Sequence, residues 1–284
     1  MKRIFAKSIS TIGLLVALLL WGSAFAGVRF AVQEYHPLHL VAFRFGVASI
    51  VLGGFALISR QIRKPESKDL TAILLQGLFG ITFYHLLLSW GQVTTPAGTA
   101  SLLNASSPCM TAILATFFLG EKLYRKGWLG IVIGLAGVSL LVVGQGKDLH
   151  LALGAILILL AAFSQGIYFI LQRPYFKKYS PLELASYTIW AGTIPLLLFL
   201  RLPEASPSAT LAVIYLGIFP AAVAYIAWTY ALSRIPTARA ASFLYLVPLI
   251  AVGVAWIWLR EVPNTLSLLA GFITVLGVFF VNSR

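Results

Sequence analysis

The stretch Leu15–Leu40, LVALLLWGSAFAGVRFAVQEYHPLHL, returns 144 residues later as Leu159–Leu184, LLAAFSQGIYFILQRPYFKKYSPLEL. Without a gap, Leu15/Leu159, Ala17/Ala161, Gly22/Gly166, Phe25/Phe169, Arg29/Arg173, Tyr35/Tyr179 and Pro37/Pro181 coincide, followed by Leu38/Leu182, Leu40/Leu184 and Ile50/Ile194. Past the polar turn Lys64-Pro65-Glu66-Ser67 the offset drops from 144 to 140, a four-residue deletion in one loop. Gly77/Gly217, Phe79/Phe219, Pro96/Pro236, Pro108/Pro248, Glu121/Glu261 and Gly137/Gly277 then match. Apolar coincidences are common in so apolar a chain. Matched prolines, glycines and acids are not, since each does a backbone or charge task that other residues do poorly. The chain reads as a duplication, and a duplication fixes the architecture.

Of the 284 residues, 60% are hydrophobic and only 10% charged, too few charges to cover a water-soluble surface. Lipid is the expected solvent, and a bilayer-spanning helix needs about 20 mainly apolar residues. Ten stretches qualify: 9–30, 37–58, 69–91, 97–119, 127–143, 152–173, 181–200, 209–232, 238–258 and 265–282. Their connections are short. The expected domains are a first five-helix repeat over 1–146 and a second over 147–284. Five is odd, so the second copy enters the bilayer upside down. The expected fold class is all-α integral membrane, ten transmembrane helices as two inverted five-helix repeats. Lys2, Arg3 and Lys7 before an apolar run ending in Ala24-Phe25-Ala26 imitate a secretory signal peptide. That run continues past the apparent cleavage site and has its partner in the second half, so it is expected to be the first span.

Basic residues set orientation. With the N-terminus inside, Lys2, Arg3, Lys7, Arg60, Arg63, Lys64, Lys68, Lys122, Arg125, Lys126, Arg173, Lys177, Lys178, Arg234, Arg239 and Arg284 lie on the inner side. Only Arg29, Lys147, Arg201 and Arg260 lie outside. Both termini are therefore expected in the cytoplasm of a bacterial inner membrane.

The net charge of +13 is scattered between apolar runs, which argues against a nucleic-acid partner. Cys109 is the one cysteine, so neither an intrachain disulfide nor a Cys-based metal site is available. No GxxxxGK[ST], HExxH or GxSxG motif is present. No metal or cofactor is expected, and the midspan residues do not supply the clustered acid, base or metal set of an enzyme. Inverted repeats are the usual build of secondary transporters, with substrate near the midplane between the halves. A small-molecule substrate and lipid are the expected partners, and a monomer the expected state.

Leu20-Trp21-Gly22-Ser23-Ala24-Phe25, Phe43-Arg44-Phe45, the prolines of the fourth and ninth spans, and Leu-Gly-Glu at 119–121 echoed by Leu-Arg-Glu at 259–261 carry a resemblance. The pattern resembles the drug/metabolite transporter superfamily over essentially the whole chain. It is similar to its ten-helix EamA-type branch, named for amino-acid and metabolite export, and to the aromatic amino-acid exporters. The resemblance implies export of small solutes such as amino acids. Arg260 departs from the pattern where Gly120 stands in the first repeat, and a helix end is the expected place of that change. A drug or nucleotide-sugar carrier is the alternative, although phosphates would demand several midspan basic groups and only Arg44 is offered.

The candidate substrate-binding residues are Trp21, Tyr84, His85, Asn104, Gln165, Tyr168, Tyr225, Trp228, Ser242 and Tyr245. Trp21 lies too deep for an interfacial belt, so its ring is available for stacking or for an ammonium. Gln165 is its match, and Tyr225 matches His85. Polar side chains of this kind also serve as plain interhelical glue. Pro108 and Pro248 are candidate hinges, or static kinks. Arg44 either binds a substrate carboxylate or snorkels to backbone, and the second reading is preferred. Glu34, Glu66, Asp69, Glu121, Asp148, Glu183, Glu204 and Glu261 all fall outside midspan, which favours neutral or zwitterionic substrates. Gly127, Gly130, Gly134 and Gly137 form a small face suited to close packing within the chain.

Overall fold

The computed structural model describes residues 2–120, 124–143, 149–201, 204–232 and 246–282. Among them there is no strand. The helices are α1 (Lys2–Ala31), α2 (Pro37–Ser59), α3 (Leu70–Gly77), α4 (Tyr84–Thr94), α5 (Ala97–Asn104), α6 (Ser107–Leu119), α7 (Arg125–Val143), α8 (Leu149–Gln172), α9 (Pro181–Leu197), α10 (Pro207–Ile218), α11 (Ala224–Leu232), α12 (Leu246–Leu259) and α13 (Thr265–Asn282). Among the described residues, six helical stretches are long and apolar enough to cross a bilayer: Ile12–Ala31, Pro37–Ser59, Ser67–Thr94, Ala97–Leu119, Ala152–Lys177 and Pro207–Trp228. Shorter apolar helices cover Leu246–Leu259 and Thr265–Gly277. Many large side chains point outward, among them Ile50, Leu57, Ile58, Phe117, Phe118 and Phe272, as lipid-facing surfaces require.

Helix starts and stops follow local chemistry. Pro37, Pro181 and Pro207 sit in first turns, where the missing N–H costs nothing. Ser180 and Glu183 close a capping box on α9. Gly120 ends α6 at φ 66°, and Arg260 ends α12 at φ 58°. The Gly-to-Arg difference between the halves therefore lies at a helix end, where arginine is more strained than glycine.

Two spans carry a π-helical turn. Leu78–Phe83 joins α3 to α4, and Phe219–Val223 joins α10 to α11. Such turns add a residue to the helical repeat, free a carbonyl and re-aim the side chains beyond them. The fourth expected span is stepped rather than kinked. It ends at Asn104 and restarts at Ser107, so Pro108 lies in the first turn of α6. Pro248 is buried near the start of α12.

Glycine allows the closest approaches. A Cβ on Gly77 would lie 2.5 Å from the Gly192 nitrogen and 2.9 Å from the Ala191 carbonyl carbon. One on Gly217 would lie 2.7 Å from the Arg44 oxygen and from Val47. Gly22 abuts Ile250 and Ala251 of α12, and Gly166 abuts Leu114 and Thr111 of α6. Gly134 and Gly137 pack against Thr274 and Gly277 of α13, so this face of α7 is a seam within the chain. Cys109 is buried in α6 with its thiol free, beside Gly134.

Candidate functional site

The two π turns build the centre. Trp21 of α1 donates its indole Nε1 to the carbonyl of Pro220, 3.1 Å away in the second π turn. Ser164 of α8 donates to the carbonyl of Phe79 in the first π turn at 2.7 Å. In lipid a freed carbonyl has no water to turn to, so each turn persists where a donor on a facing helix meets it. Tyr84 and His85 come directly after the first turn, and Tyr225 comes two residues after the second.

These side chains meet one another. The Trp21 ring lies 5.7 Å from Tyr225, nearly edge-on, and 5.1 Å from Trp228. His85 sits between Tyr84 and Phe45, with both ring centres 4.5 Å away. The Tyr84 hydroxyl lies within reach of Asn104 and Gln165. Tyr168 stands to one side: its ring packs on Gly80 of the first π turn, and its hydroxyl accepts from Gln172 Nε2 at 2.6 Å. Ser242 and Tyr245, also expected at the site, lie outside the described residues. Helices α1, α4, α5, α8 and α11 thus bring Trp21, Tyr84, His85, Asn104, Gln165, Tyr225 and Trp228 into one neighbourhood.

Its polar atoms are under-used. Both ring nitrogens of His85 and Oδ1 of Asn104 are buried with no hydrogen-bond partner among the described residues. Arg44 is only 4% exposed. Its Nε also lacks a partner, and its guanidinium carbon lies 5.2 Å from the Phe45 ring centre.

The described buried acids stand at the rims. Glu183 pairs with Arg63 at 2.8 Å. Asp69 bonds Lys178, and it accepts from the Tyr179 hydroxyl at 2.6 Å. At the other end, Arg29 pairs with Glu261 at 2.9 Å and donates to the carbonyls of Gln92 and Val93. Glu261 also accepts from the backbone N–H of Ala97 at 2.9 Å. A surface groove of about 370 Å³, between Ile62, Arg63, Leu70, Ile73, Tyr187 and Trp190, is open to the side and holds none of the expected residues.

The sequence matches the profile of the EamA-like transporter family twice, over 8–143 and 152–283. The chain belongs to the EamA-like transporter family. It is a multi-pass membrane transporter, as that family and the apolar helices together require. An uncharacterized transporter of Bacillus subtilis, YdfC, is 43% identical over 92% of this chain and 87% of its own length. A probable terminal-alkyne amino-acid exporter of Streptantibioticus cattleyicolor is 37% identical over 95% of this chain and 92% of its own. A crystal structure of a protein 21% identical in sequence superposes with a TM-score of 0.67 over 96% of both chains, which shows a shared fold.

Proposed function

We propose that this EamA-like transporter exports amino acids, aromatic or large neutral ones, across the bacterial inner membrane by alternating access. The observation that carries the reading is the central cluster. Trp21, Tyr84, His85, Asn104, Gln165, Tyr225 and Trp228 come from both sequence halves and offer aromatic surface with a few polar anchors. Small-molecule sites are built this way. Tyr168, Ser242 and Tyr245 complete the proposed lining. A cationic drug would call for a buried carboxylate, and the described buried acids are already paired at the rims. The relative named as an amino-acid exporter supports the same substrate class. No catalytic residue is proposed.

The architecture proposed is ten transmembrane helices as two inverted repeats, 1–146 and 147–284. Reciprocal packing supports it. Gly77 meets Ala191 as Gly217 meets Val47, Gly22 meets Ala251 as Gly166 meets Thr111, and Gly137 meets Thr274 as Gly277 meets Gly134. Exchanging the halves turns each contact into its counterpart. Both matches to the family profile span one half each, which supports the same division. Both termini are proposed to be cytoplasmic, as the basic loops require. Reporter fusions at Glu66 and Arg284 should both report inside, and an outside signal at either would contradict this orientation.

Proteoliposomes preloaded with labelled phenylalanine test the function, with and without a pH gradient. Efflux that unlabelled large neutral amino acids accelerate from the far side supports the proposal. No protein-dependent efflux under either condition overturns it.

A further inference from the structure

Arg44 stands at the junction of α2 and α10, where its own carbonyl oxygen is in contact with Gly217, two residues before the second π turn. The backbone of the second half therefore fixes its position. Its side chain is buried and its Nε has no partner among the described residues. Among the described residues, the ionisable side chains that act on it are Tyr225, Tyr84 and Tyr215, and none is a carboxylate. His85 lies within its electrostatic reach, again with both nitrogens unpartnered among the described residues. A guanidinium in low dielectric with no counter-charge among the described residues is unfavourable. The natural complement is a carboxylate, which a guanidinium grips through two parallel N–H bonds.

The same neighbourhood holds the opposite polarity. Asn104 Oδ1 is a buried acceptor without a partner among the described residues, and the Asn104 side chain lies within hydrogen-bond reach of the Tyr84 hydroxyl. Trp21 and Trp228 of the same cluster pack 5.1 Å apart, and tryptophan faces attract an ammonium. Unpartnered donors and acceptors thus share one site whose remaining lining is mainly aromatic, with Gln165 beside Tyr84.

We propose that Arg44, with His85 beside it, is the carboxylate subsite of the central site. The ligand class is then α-amino acids with an apolar or aromatic side chain. The carboxylate lies on Arg44, the ammonium lies toward Asn104 and the tryptophan faces, and the side chain lies against Trp21 and Tyr225. This rests on the central cluster being the substrate site.

The test uses the purified full chain and three probes: L-phenylalanine, L-phenylalaninamide and phenethylamine. Affinity and thermal unfolding are measured for wild type, Arg44→Lys, Arg44→Gln and Trp21→Ala. Wild type should bind the acid roughly 10- to 100-fold more tightly than the amide or the amine. Arg44→Gln should lose that preference while its ligand-free unfolding temperature does not fall, because an uncompensated charge has been removed. Arg44→Lys should keep part of the preference. Wild type binding amide and acid equally overturns the carboxylate subsite, and the central site then stands if Trp21→Ala weakens all three probes. Wild type binding none of the three overturns both. If Arg44→Gln does not fold, the wild-type series and Arg44→Lys decide.

Discussion

Trp21 and Pro220, 199 residues apart in sequence, are joined by a hydrogen bond from the indole nitrogen to the proline carbonyl at 3.1 Å. It ties the first helix to the π turn of the span that carries Tyr225 and Trp228, so one residue both lines the centre and holds its backbone. Trp21→Phe keeps an aromatic ring and leaves the carbonyl bare. Thermal unfolding in detergent should show a loss of about 1–2 kcal/mol, the penalty of an unpaired buried acceptor. No change in unfolding would mean that the carbonyl finds another donor.

The glycine contacts make a sharper contrast. A Cβ on Gly277 would lie 2.2 Å from the Gly134 nitrogen, whereas one on Gly53 meets nothing within 4 Å. Gly277→Ala and Gly77→Ala should each destabilise by about 1–3 kcal/mol, because backbone must move aside. Gly53→Ala should be neutral or slightly stabilising. Equal effects at all three positions would refute the close packing.

Pro108 and Pro248 are proposed hinges. Pro108→Ala and Pro248→Ala should insert normally and slow transport, since the first turn of α6 and the matching first turn of α12 lose a preset φ. Both variants transporting at the wild-type rate would reduce the prolines to packing details.

Charge at one rim sets a pH limit. Hydrogen bonds from Lys178 and then Lys68 hold the exposed Glu66 carboxyl below its usual value of 4.5. A depressed carboxyl stabilises the fold above its unfolded pKa, and that stabilisation is lost as pH falls through the lower folded value. Unfolding temperature should therefore decline below about pH 4.5, weakly and with salt sensitivity, because the pair is exposed. Glu66→Gln should flatten part of the decline. An identical pH profile in that variant would remove Glu66 from the account.

The duplication is legible in the sequence because prolines and glycines do backbone work that other residues do poorly. Gly77 and Gly217 stand in both halves where each lies against a neighbouring helix backbone. The aromatic and polar cluster is legible from depth within spans and from matched positions such as His85 and Tyr225. The π turns are not: LFGITF and FPAAV share no pattern of hydrogen-bond donors, and the decisive partners, Ser164 and Trp21, sit on other helices. Arg44 escapes for the same kind of reason. A lone arginine in a span does not say whether a backbone carbonyl will reach it, and here Nε has no partner among the described residues. Pro108 announces a break, yet its place in the first turn of α6 depends on the helix ending at Asn104, which no single residue marks.

The central claim is that substrate sits between the halves, against Trp21 of α1 and its repeat match Gln165 of α8. The direct measurement is transport and substrate competition in Trp21→Ala and Gln165→Ala, with membrane insertion verified and Trp21→Phe as the control for the Pro220 bond. Both alanine variants should reach the membrane and lose about 5- to 150-fold in apparent affinity for the transported amino acid. If both reach the membrane and retain wild-type transport and competition, the site lies elsewhere.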